Sequence, residues 1–497
     1  MKRVVNFILK LVEQKWWVFV ILAMLTTLVL TLFMGKGQDV WFDESYSIIL
    51  AKQPIDQLLS LTSVDAHPPL FYLLLKAWGE IFGWSELALR SFSAILAALT
   101  VGVIALLVRT LFTIRVALVA LPFVTLAPFW LRYGYEIRMY ALAGLICALA
   151  SFVLIKAVQS KNDWRWWAGY ALLVAAAMYT LYMTVVIWLA HFIWLMMYHR
   201  RHFWRQSWFR AYVVAVILFI PYIPTLIFQF THSALPGIGQ RLNLTHIGEI
   251  ASQLLAYTPE WSVGGWSALG IVVTLGLSLF LIDRARHLSN EKARRQIMFL
   301  VLLIFVPLIF FIIISLPPLS PIFVPRYLAH LALFMYLLIG IAVALGWRYG
   351  YRLSAAVLFV TGLSVLIWGN GQLAIAGNFN YERMQRPQTV KVRQLIDCNK
   401  SVVVADDAYT YINNLYYFND CDMRFYSQYP IRYEGGYAWL ANSNDRLASS
   451  KDVTAETVVH LYWSDHDKTF VPDNRYQLVT SVTYDKQVTD TYRLISE

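Results

Sequence analysis

Apolar segments of about 20 residues recur along the first three quarters of the chain, and no other feature constrains the fold as strongly. A segment of about this length crosses the hydrocarbon layer of a bilayer as a helix. Charged residues make up only 14% of the chain, against about 25% in soluble domains. The sequence therefore predicts a polytopic α-helical membrane protein with about eleven transmembrane helices, at 17–34, 88–108, 113–131, 139–157, 166–181, 183–199, 211–229, 265–282, 297–316, 327–346 and 352–369.

The distribution of basic residues predicts the topology. Lys2, Arg3, Lys10 and Lys15 precede the first span, which has no cleavage-site pattern and is expected to be retained, so the N-terminus is placed in the cytoplasm. An odd number of spans then puts the C-terminus outside a multi-pass protein of the cell membrane. The other basic residues that this topology assigns to the cytoplasm are Arg109, Arg115, Lys156, Lys161, Arg165, Arg200, Arg201, Arg205, Arg210, Arg284, Arg286, Lys292, Arg294, Arg295, Arg348 and Arg352.

This topological bias explains the net charge of +11, and no basic, aromatic patch indicates a nucleic-acid partner. The composition changes near residue 370. Stretches rich in Val, Tyr and Thr predict strands, and a helix is expected at Thr389–Ile396. The predicted strands are Ser401–Ala405, Val458–Trp463, Tyr476–Thr483 and Thr491–Ile495.

We therefore predict a transmembrane catalytic module over 1–369 and a small extracytoplasmic α/β domain over 370–497. In an oxidising compartment a disulfide can form between Cys398 and Cys421, which both lie in the second domain. The outer loop 35–87 is predicted to hold two surface helices, one starting just after Asp43 and one at Pro69–Ile81, which is too short to cross a bilayer. A further helix is expected near His246–Tyr257.

Ionisable side chains near membrane depth are candidates for function, and here they gather at the outer ends of the predicted spans. Asp43 and Glu44 follow the first span, and Glu136 lies in the next outer loop. Trp41 and Tyr140 are placed to touch a substrate. The remaining candidates, which are cationic or aromatic, are His67, Arg90, Arg132, Arg138, Arg326 and Tyr327.

This combination suits group transfer from a lipid phosphate. A carboxylate such as Asp43 can accept the proton of an attacking hydroxyl or amine. Arginines match phosphate oxygens and stabilise the charge that develops on a leaving phosphate. No cofactor is expected; a divalent cation with Asp43 as ligand is the alternative to some of the arginines.

Each candidate also has a purely structural explanation. An acidic residue in the first turn of a helix often stabilises it, which is the alternative for Asp43 and Glu44. His67 can be an ordinary loop residue, and Arg90 can be an anchor at the membrane interface. Glu136 and Arg138 can simply pair across a tight loop, and Arg326 can serve only to set the topology. The acidic pair, the His-Pro-Pro sequence and three arginines on one predicted side favour a site.

These residues bear a family resemblance. The chain resembles the polyprenyl-phosphate-sugar-dependent glycosyltransferases of the GT-C fold, in the branch of protein O-mannosyltransferases and lipid A aminoarabinose transferases. The likeness is clearest over 15–145. It is carried by Asp43-Glu44, His67-Pro68-Pro69-Leu70, Phe82-Gly83, Ser85-Glu86-Leu87-Ala88-Leu89-Arg90 and Arg326-Tyr327.

The resemblance implies that Asp43 is the catalytic carboxylate and Glu136 the second acidic position of the site. His67 stands where the aminoarabinose transferases usually have a lysine that contacts donor phosphate. The expected function is transfer of a hexose or pentose, with inversion, from a polyprenyl-phosphate donor to a protein, lipid or cell-envelope glycan on the outer face of a prokaryotic membrane. The alternatives are a lipid or polysaccharide flippase and a non-catalytic envelope assembly protein.

Overall fold

A computed structural model of the protein describes residues 13–160, 163–232, 244–257, 266–316, 325–376, 388–394, 396–433, 435–441, 443–484 and 486–495. The chain divides into two compact units. We call the first the helical unit; it comprises Met1–Gly35, Arg90–Ile223 and Leu235–Ile375. We call the second the mixed unit; it comprises Lys36–Leu89, Pro224–Ala234 and Ala376–Glu497. The outer loop that carries Asp43 and Glu44 thus groups with the C-terminal residues.

Helices account for most of the described chain. In order they are α1 (Trp16–Gly35), α2 (Phe42–Lys52), α3 (Ile55–Val64), α4 (Leu70–Phe82), α5 (Glu86–Leu111), α6 (Ile114–Thr125), α7 (Pro128–Gly134), α8 (Tyr140–Gln159), α9 (Trp164–Met178), α10 (Val185–His199), α11 (Ser207–Phe219), α12 (Ile223–His232), α13 (Leu244–Ala256), α14 (Trp266–Leu288), α15 (Glu291–Ile314), α16 (Ala329–Arg348), α17 (Arg352–Ala376), α18 (Gln388–Gln394) and α19 (Ala408–Leu415).

The predicted spans coincide with helices. Within the described residues, nine helical segments are long and apolar enough to cross a membrane, and the pair α6 and α7, bent by 63°, would make a tenth. The bend falls where Pro128 begins α7, because proline lacks the N–H that a continuous helix needs and disfavours helical geometry at Ala127. The segment predicted at 166–181 is α9, whose 15 residues are about 22 Å long and shorter than a bilayer core of about 30 Å.

Helix α16 is the centre of the helical unit. It lies in the candidate span Arg326–Arg348, where 89% of an 18-residue apolar stretch is buried, and it packs against α6, α7, α8, α14 and α15. Gly340 permits the close approach of α6: a Cβ atom there would lie 2.5 Å from the Cα of Ala120 and 3.0 Å from the ring of Phe123. Small residues let helix backbones meet where the surrounding medium is as apolar as the core.

The mixed unit combines short helices with a six-stranded sheet. The strands are β1 (Ser401–Ala405), β2 (Asp422–Tyr426), β3 (Arg446–Leu447), β4 (Thr457–Trp463), β5 (Tyr476–Tyr484) and β6 (Gln487–Leu494). Their order is β3-β2-β1-β4-β6-β5; the first four are parallel, and β6 runs antiparallel to β4 and to β5. Cys398 and Cys421 are joined in a disulfide, which an oxidising compartment permits.

The secondary structure predicted for this unit is confirmed in outline. The two helices predicted for the outer loop are α2 and α4, with the unpredicted α3 between them, and the predicted helix at 389–396 is α18. Strands β2 and β3 and helix α19 went unpredicted, because β2 is short and half polar, β3 has two residues, and α19 is rich in Tyr, Thr and Asn, which are weak helix formers. Strand β6 starts at Gln487, four residues before the prediction, because pairing with β4 extends it.

A buried carboxylate fixes the loop that follows β4. Asp406, at the end of β1, accepts hydrogen bonds from His460 Nε2 at 2.9 Å, from the backbone N–H of Phe470 at 2.7 Å, and from the backbone and hydroxyl of Thr469 at 3.0 Å. Burial alone would raise the pKa of Asp406, but the hydrogen bonds outweigh it and hold the pKa below its usual value. Burial lowers the pKa of His460, so the ring is neutral and donates its Nε2 proton.

We expect the free energy of unfolding to fall as the pH drops below about 6.5, because the unfolded chain then protonates His460 while the folded chain does not. One such proton gives a slope of at most about 1.4 kcal/mol per pH unit. Protonation of Asp406 also lowers the free energy of unfolding in more acidic solution, because the pKa of Asp406 is lower in the folded chain than in the unfolded chain. The His460→Gln variant keeps a donor to Asp406 and cannot take up the proton, so its melting temperature should change less between about pH 7.5 and about pH 5.5.

The matched control for this measurement is His287→Gln, at an exposed position in the last turn of α14. It should keep the pH dependence of the wild type. An identical pH dependence in the His460→Gln variant and the wild type would contradict the assignment.

We also expect Gly340→Ala to lower the melting temperature of the purified protein in detergent, because the added methyl group overpacks the contact between α16 and α6 at a cost of about 1–3 kcal/mol. Gly276→Ala is the control: Gly276 also lies in a candidate span, and a Cβ there has open space around it. Equal melting temperatures of the two variants would show that α16 and α6 do not pack as described.

Candidate active site

The acidic pair lies in the first turn of α2, where the partial positive charge of a helix N-terminus favours carboxylates. The Glu44 carboxylate accepts the backbone N–H of Trp41, the residue that precedes the helix, at 3.4 Å, and Glu44 is only 1% exposed. Asp43 is half-buried, and its carbonyl accepts the hydroxyl of Ser47 at 2.8 Å. Glu44 therefore has the capping contact, and Asp43 is the less buried residue of the pair.

His67 lies beside a second carboxylate of the same loop. Its Nδ1 is 3.5 Å from Asp65 Oδ2, and both side chains are largely buried. Asp65 follows the last residue of α3, and Pro68 and Pro69 lead into α4, so the imidazole is held between two helix ends. The separation is long for a hydrogen bond.

Within the helical unit, the predicted residues Arg132 and Glu136 form a buried ion pair. Arg132 Nη1 is 3.0 Å from Glu136 Oε2, and neither side chain is exposed. Arg132 also lies over the rings of Tyr133 and Tyr135, at 5.2 and 5.0 Å from their centroids. A charge buried in apolar surroundings is tolerated only when it is paired and hydrogen-bonded, so Glu136 keeps Arg132 in place.

Arg90 approaches the same tyrosine. Its guanidinium carbon lies 5.6 Å from the centroid of the Tyr135 ring, and its Nη1 donates to the carbonyl of Gly35, the last residue of α1. Tyr135 in turn packs against the backbone of Gly35, where a Cβ would lie 3.0 Å from the Tyr135 side chain. Arg90 and Arg132 thus both lie against one buried aromatic ring, and Glu136 pairs with Arg132; we call this group the Tyr135 cluster.

Residues 138–140, which follow Glu136 and lead into α8, are also buried and lie beside aromatic rings. Arg138 is 2% exposed and Tyr140, which begins α8, is 1% exposed. The rings of Tyr140 and Tyr133 meet edge to face at 5.2 Å, and Tyr133 also meets Tyr257 at 6.4 Å. Tyr257 follows α13 and adopts a left-handed backbone with φ of 47°, which is uncommon for a residue with a side chain. Burial raises the pKa of its hydroxyl, and the nearby Arg132 opposes that shift.

Arg326 and Tyr327 lie in a 3₁₀ turn, Pro325–Leu328, directly before α16. The guanidinium carbon of Arg326 is 6.0 Å from the Tyr327 ring centroid, and Tyr327 is 6% exposed. Helix α13 contacts both this turn and α7, the helix that carries Arg132. The turn and the Tyr135 cluster therefore share α13 as a neighbour.

The structure thus places the predicted residues in small sets. Arg90, Arg132 and Glu136 meet in the helical unit, while Asp43 and Glu44 share a helix turn in the mixed unit. Sequence reasoning missed Tyr135 and Tyr257; the alternation of Tyr with charged residues in 132–140 is the signal that points to the first. Among the described residues, three potential metal ligands come together only at Cys398, Asp420 and Cys421, and two of these form the disulfide.

The family model described as dolichyl-phosphate-mannose-protein mannosyltransferase matches residues 66–228, about a third of the chain. No curated protein matches the sequence significantly. Among solved structures, ArnT from Cupriavidus metallidurans bound to undecaprenyl phosphate is similar over 96% of this chain and 98% of its own, with a TM-score of 0.65 at 13% identity. The chain has the GT-C fold.

The same fold is seen in two further structures. ArnT from Cupriavidus metallidurans in the apo state covers 96% of this chain and 98% of its own, with a TM-score of 0.61 at 12% identity. The Archaeoglobus fulgidus oligosaccharyltransferase in complex with Zn and sulfate covers 89% of this chain and 67% of its own, with a TM-score of 0.52 at 12% identity. The predicted fold, a polytopic GT-C membrane protein with a small C-terminal α/β domain, is confirmed.

We expect Glu136→Gln to lower the free energy of unfolding by about 3–5 kcal/mol, because it leaves the Arg132 charge buried without its carboxylate. Thermal or denaturant unfolding of the detergent-solubilised GT-C chain measures this loss. Asp283→Asn is the matched control, since Asp283 pairs with Arg286 at 3.4 Å where both side chains are about half exposed, and such pairs contribute about 0–1 kcal/mol. Equal losses in the two variants would contradict a buried, uncompensated charge.

Proposed function

We propose that this protein is a membrane glycosyltransferase that moves a sugar from a polyprenyl-phosphate donor to an acceptor on the extracytoplasmic face of the cell membrane, with inversion. The observation that carries the proposal is the GT-C fold, which matches ArnT over nearly the full length of both chains. The ArnT structure is described as bound to undecaprenyl phosphate, which supports a polyprenyl phosphate as the leaving group here. The family model adds a mannosyltransferase likeness over residues 66–228.

The reaction needs a base and a stabiliser of negative charge. An acceptor hydroxyl or amine attacks the anomeric carbon of the sugar, and its proton passes to a carboxylate as the bond to the phosphate oxygen breaks. The polyprenyl phosphate leaves as an anion, so cationic donors aimed at it lower the barrier. A single displacement of this kind inverts the configuration at the anomeric carbon.

We assign the base to Asp43. Asp43 is the less buried residue of the pair, and the carboxylate of Glu44 caps α2. Trp41 is the proposed substrate contact that precedes the same helix. Glu136 is proposed as the supporting acid that orients Arg132 through the buried ion pair.

The arginines are the proposed phosphate ligands, because guanidinium groups stay charged and offer paired N–H donors that fit phosphate oxygens. Their aromatic neighbours restrict their side chains and exclude water. Tyr140 is a proposed substrate contact, and the His67 ring, 3.5 Å from Asp65, would add a hydrogen-bond donor. The proposed donor-phosphate residues are His67, Arg90, Arg132, Arg138, Arg326 and Tyr327.

The proposed partners are the polyprenyl-phosphate sugar, membrane lipids, and a protein, lipid or envelope-glycan acceptor. The topology proposed from the basic residues has a cytoplasmic N-terminus and an extracytoplasmic C-terminal domain. The proposed chemistry needs no cofactor. One similar structure is an oligosaccharyltransferase in complex with Zn and sulfate, so the assay includes a chelator arm that tests for a divalent cation.

The test is sugar transfer by the purified full-length protein from a panel of polyprenyl-phosphate sugars. We expect Asp43→Asn to lower transfer at least about a hundredfold, the lower range for loss of an acid or base group. Asp56→Asn is the matched control, because Asp56 is also in the first turn of a helix of the outer loop and is exposed. It should retain wild-type activity.

Three outcomes would overturn parts of the proposal. Wild-type activity in Asp43→Asn would remove the base assignment and leave Glu44 and Glu136 as candidates. Loss of transfer on chelation would replace the arginine-only scheme with a metal-assisted one. No transfer with any donor, together with lipid movement across vesicles that contain the protein, would favour a flippase.

A further inference from the structure

The residues directly before Asp43 are held by the C-terminal part of the mixed unit. The Asp39 carboxylate accepts the backbone N–H of Thr389 at 3.2 Å. The backbone N–H of Val40 donates to the Tyr417 hydroxyl at 2.8 Å. Both contacts join positions more than 300 residues apart in sequence, so they fix the entry to α2 through tertiary structure.

Aromatic packing adds a third contact at the residue next to Asp43. The Phe42 ring stacks on Tyr409, with centroids 4.7 Å apart and planes only 10° apart. Phe42 also meets Tyr437 at 5.7 Å and 57°. Aromatic pairs contribute about 0.5–1.5 kcal/mol beyond the area that they bury. Phe42 is the first residue of α2, so these rings restrict the direction in which the helix starts.

The two tyrosines lie in segments whose backbone is held by hydrogen bonds and packing. Tyr409 lies in the first turn of α19, whose start is capped by the side chain of Asp407 on the N–H of Thr410 at 2.6 Å. Asp406, one residue earlier, is tied to β4 and to the loop that follows it. Tyr437 belongs to the 3₁₀ segment Gly435–Leu440, which contacts α3.

Helix α19, which carries Tyr409, lies after the carboxyl end of strand β1 in the sheet. Strand β1 is flanked by β2, reached through α19, and by β4, reached by a later connection, so the chain reverses its direction across the sheet at β1. In open parallel sheets the carboxyl ends of strands at such a point usually form a ligand crevice. Here α19, which follows β1, packs on α2 instead, and its Tyr409 stacks on Phe42.

We propose that Tyr409 and Tyr437 are positioning residues for the catalytic carboxylate: through Phe42 they set the placement of Asp43 without touching the substrate. This inference rests on the proposed function, in which Asp43 is the base. A catalytic group misplaced by about 1 Å can lose about a hundredfold in rate, so a contact with the adjacent residue is close enough to matter.

Kinetics of the full-length protein test the inference. We expect Tyr409→Ala to lower kcat about ten- to a hundredfold with little change in KM for donor or acceptor. Tyr409→Phe keeps the stacked ring and should restore most of kcat. In the Asp43→Asn background, Tyr409→Ala should cause little further loss, because the two residues act through one group.

Tyr429→Ala is the matched control, since Tyr429 lies in the same domain and is 74% exposed. It should leave kcat and KM unchanged. If Tyr409→Ala fails to yield folded protein, Phe42→Leu and Phe42→Tyr probe the same stack from the other side. Phe42→Leu should lower kcat with little change in KM, and Phe42→Tyr should retain most of kcat.

The outcomes separate the inference from the proposed function. A wild type without transfer activity overturns the proposed function and this inference with it. A wild type that transfers sugar while Tyr409→Ala matches Tyr429→Ala overturns the inference alone. A change confined to the KM for acceptor also overturns it, because it would make Tyr409 an acceptor contact.

Discussion

The cost of burying charge governs the helical unit. Apolar surroundings leave backbone polar groups no partner except the helix itself, and they tolerate a charge only when it is neutralised nearby. Arg132 and Glu136 satisfy this condition at 3.0 Å with neither side chain exposed. Arg132 of α7 and Arg90 of α5 both face Tyr135, and Arg90 also bonds to Gly35 at the end of α1. The ion pair that holds Arg132 therefore helps to fix where these three helices meet. The arrangement of cationic side chains thus follows from a requirement of stability before any requirement of catalysis.

Much of the fold could be predicted because apolar segment length is a strong signal. The helices α2 and α4 and the change of composition near 370 were also readable, since a run such as Pro69–Ile81 is apolar but too short to cross a bilayer. The break between α6 and α7 was not predicted, although Pro128 explains it. Strand β3, with two residues, exists only because it pairs with β2, and no local pattern specifies such an element.

The candidate site was predictable in its residue types and only partly in its contacts. Charged residues at the ends of apolar segments stand out by composition, which is how Arg90, Arg132 and Glu136 were selected. The i to i+4 spacing of Arg132 and Glu136 is visible in the sequence. Their meeting with Arg90 around Tyr135 is not, because that contact joins residues more than 40 positions apart. The contacts of Phe42 with Tyr409 and Tyr437 likewise depend on tertiary structure alone.

The disulfide has a consequence for the order in which the newly made protein matures. Cys398 and Cys421 are 23 positions apart and enclose β1, α19, Tyr409 and Tyr417, so the bond closes a ring around two of the groups that hold the entry to α2. Closing such a ring restricts the unfolded chain and stabilises the folded loop by about 3 kcal/mol. That stabilisation exists only after thiol oxidation, which occurs beyond the cytoplasm. In the proposed topology, which places this region outside the cytoplasm, a newly made chain therefore acquires the full ordering of the entry to α2 only after export and thiol oxidation.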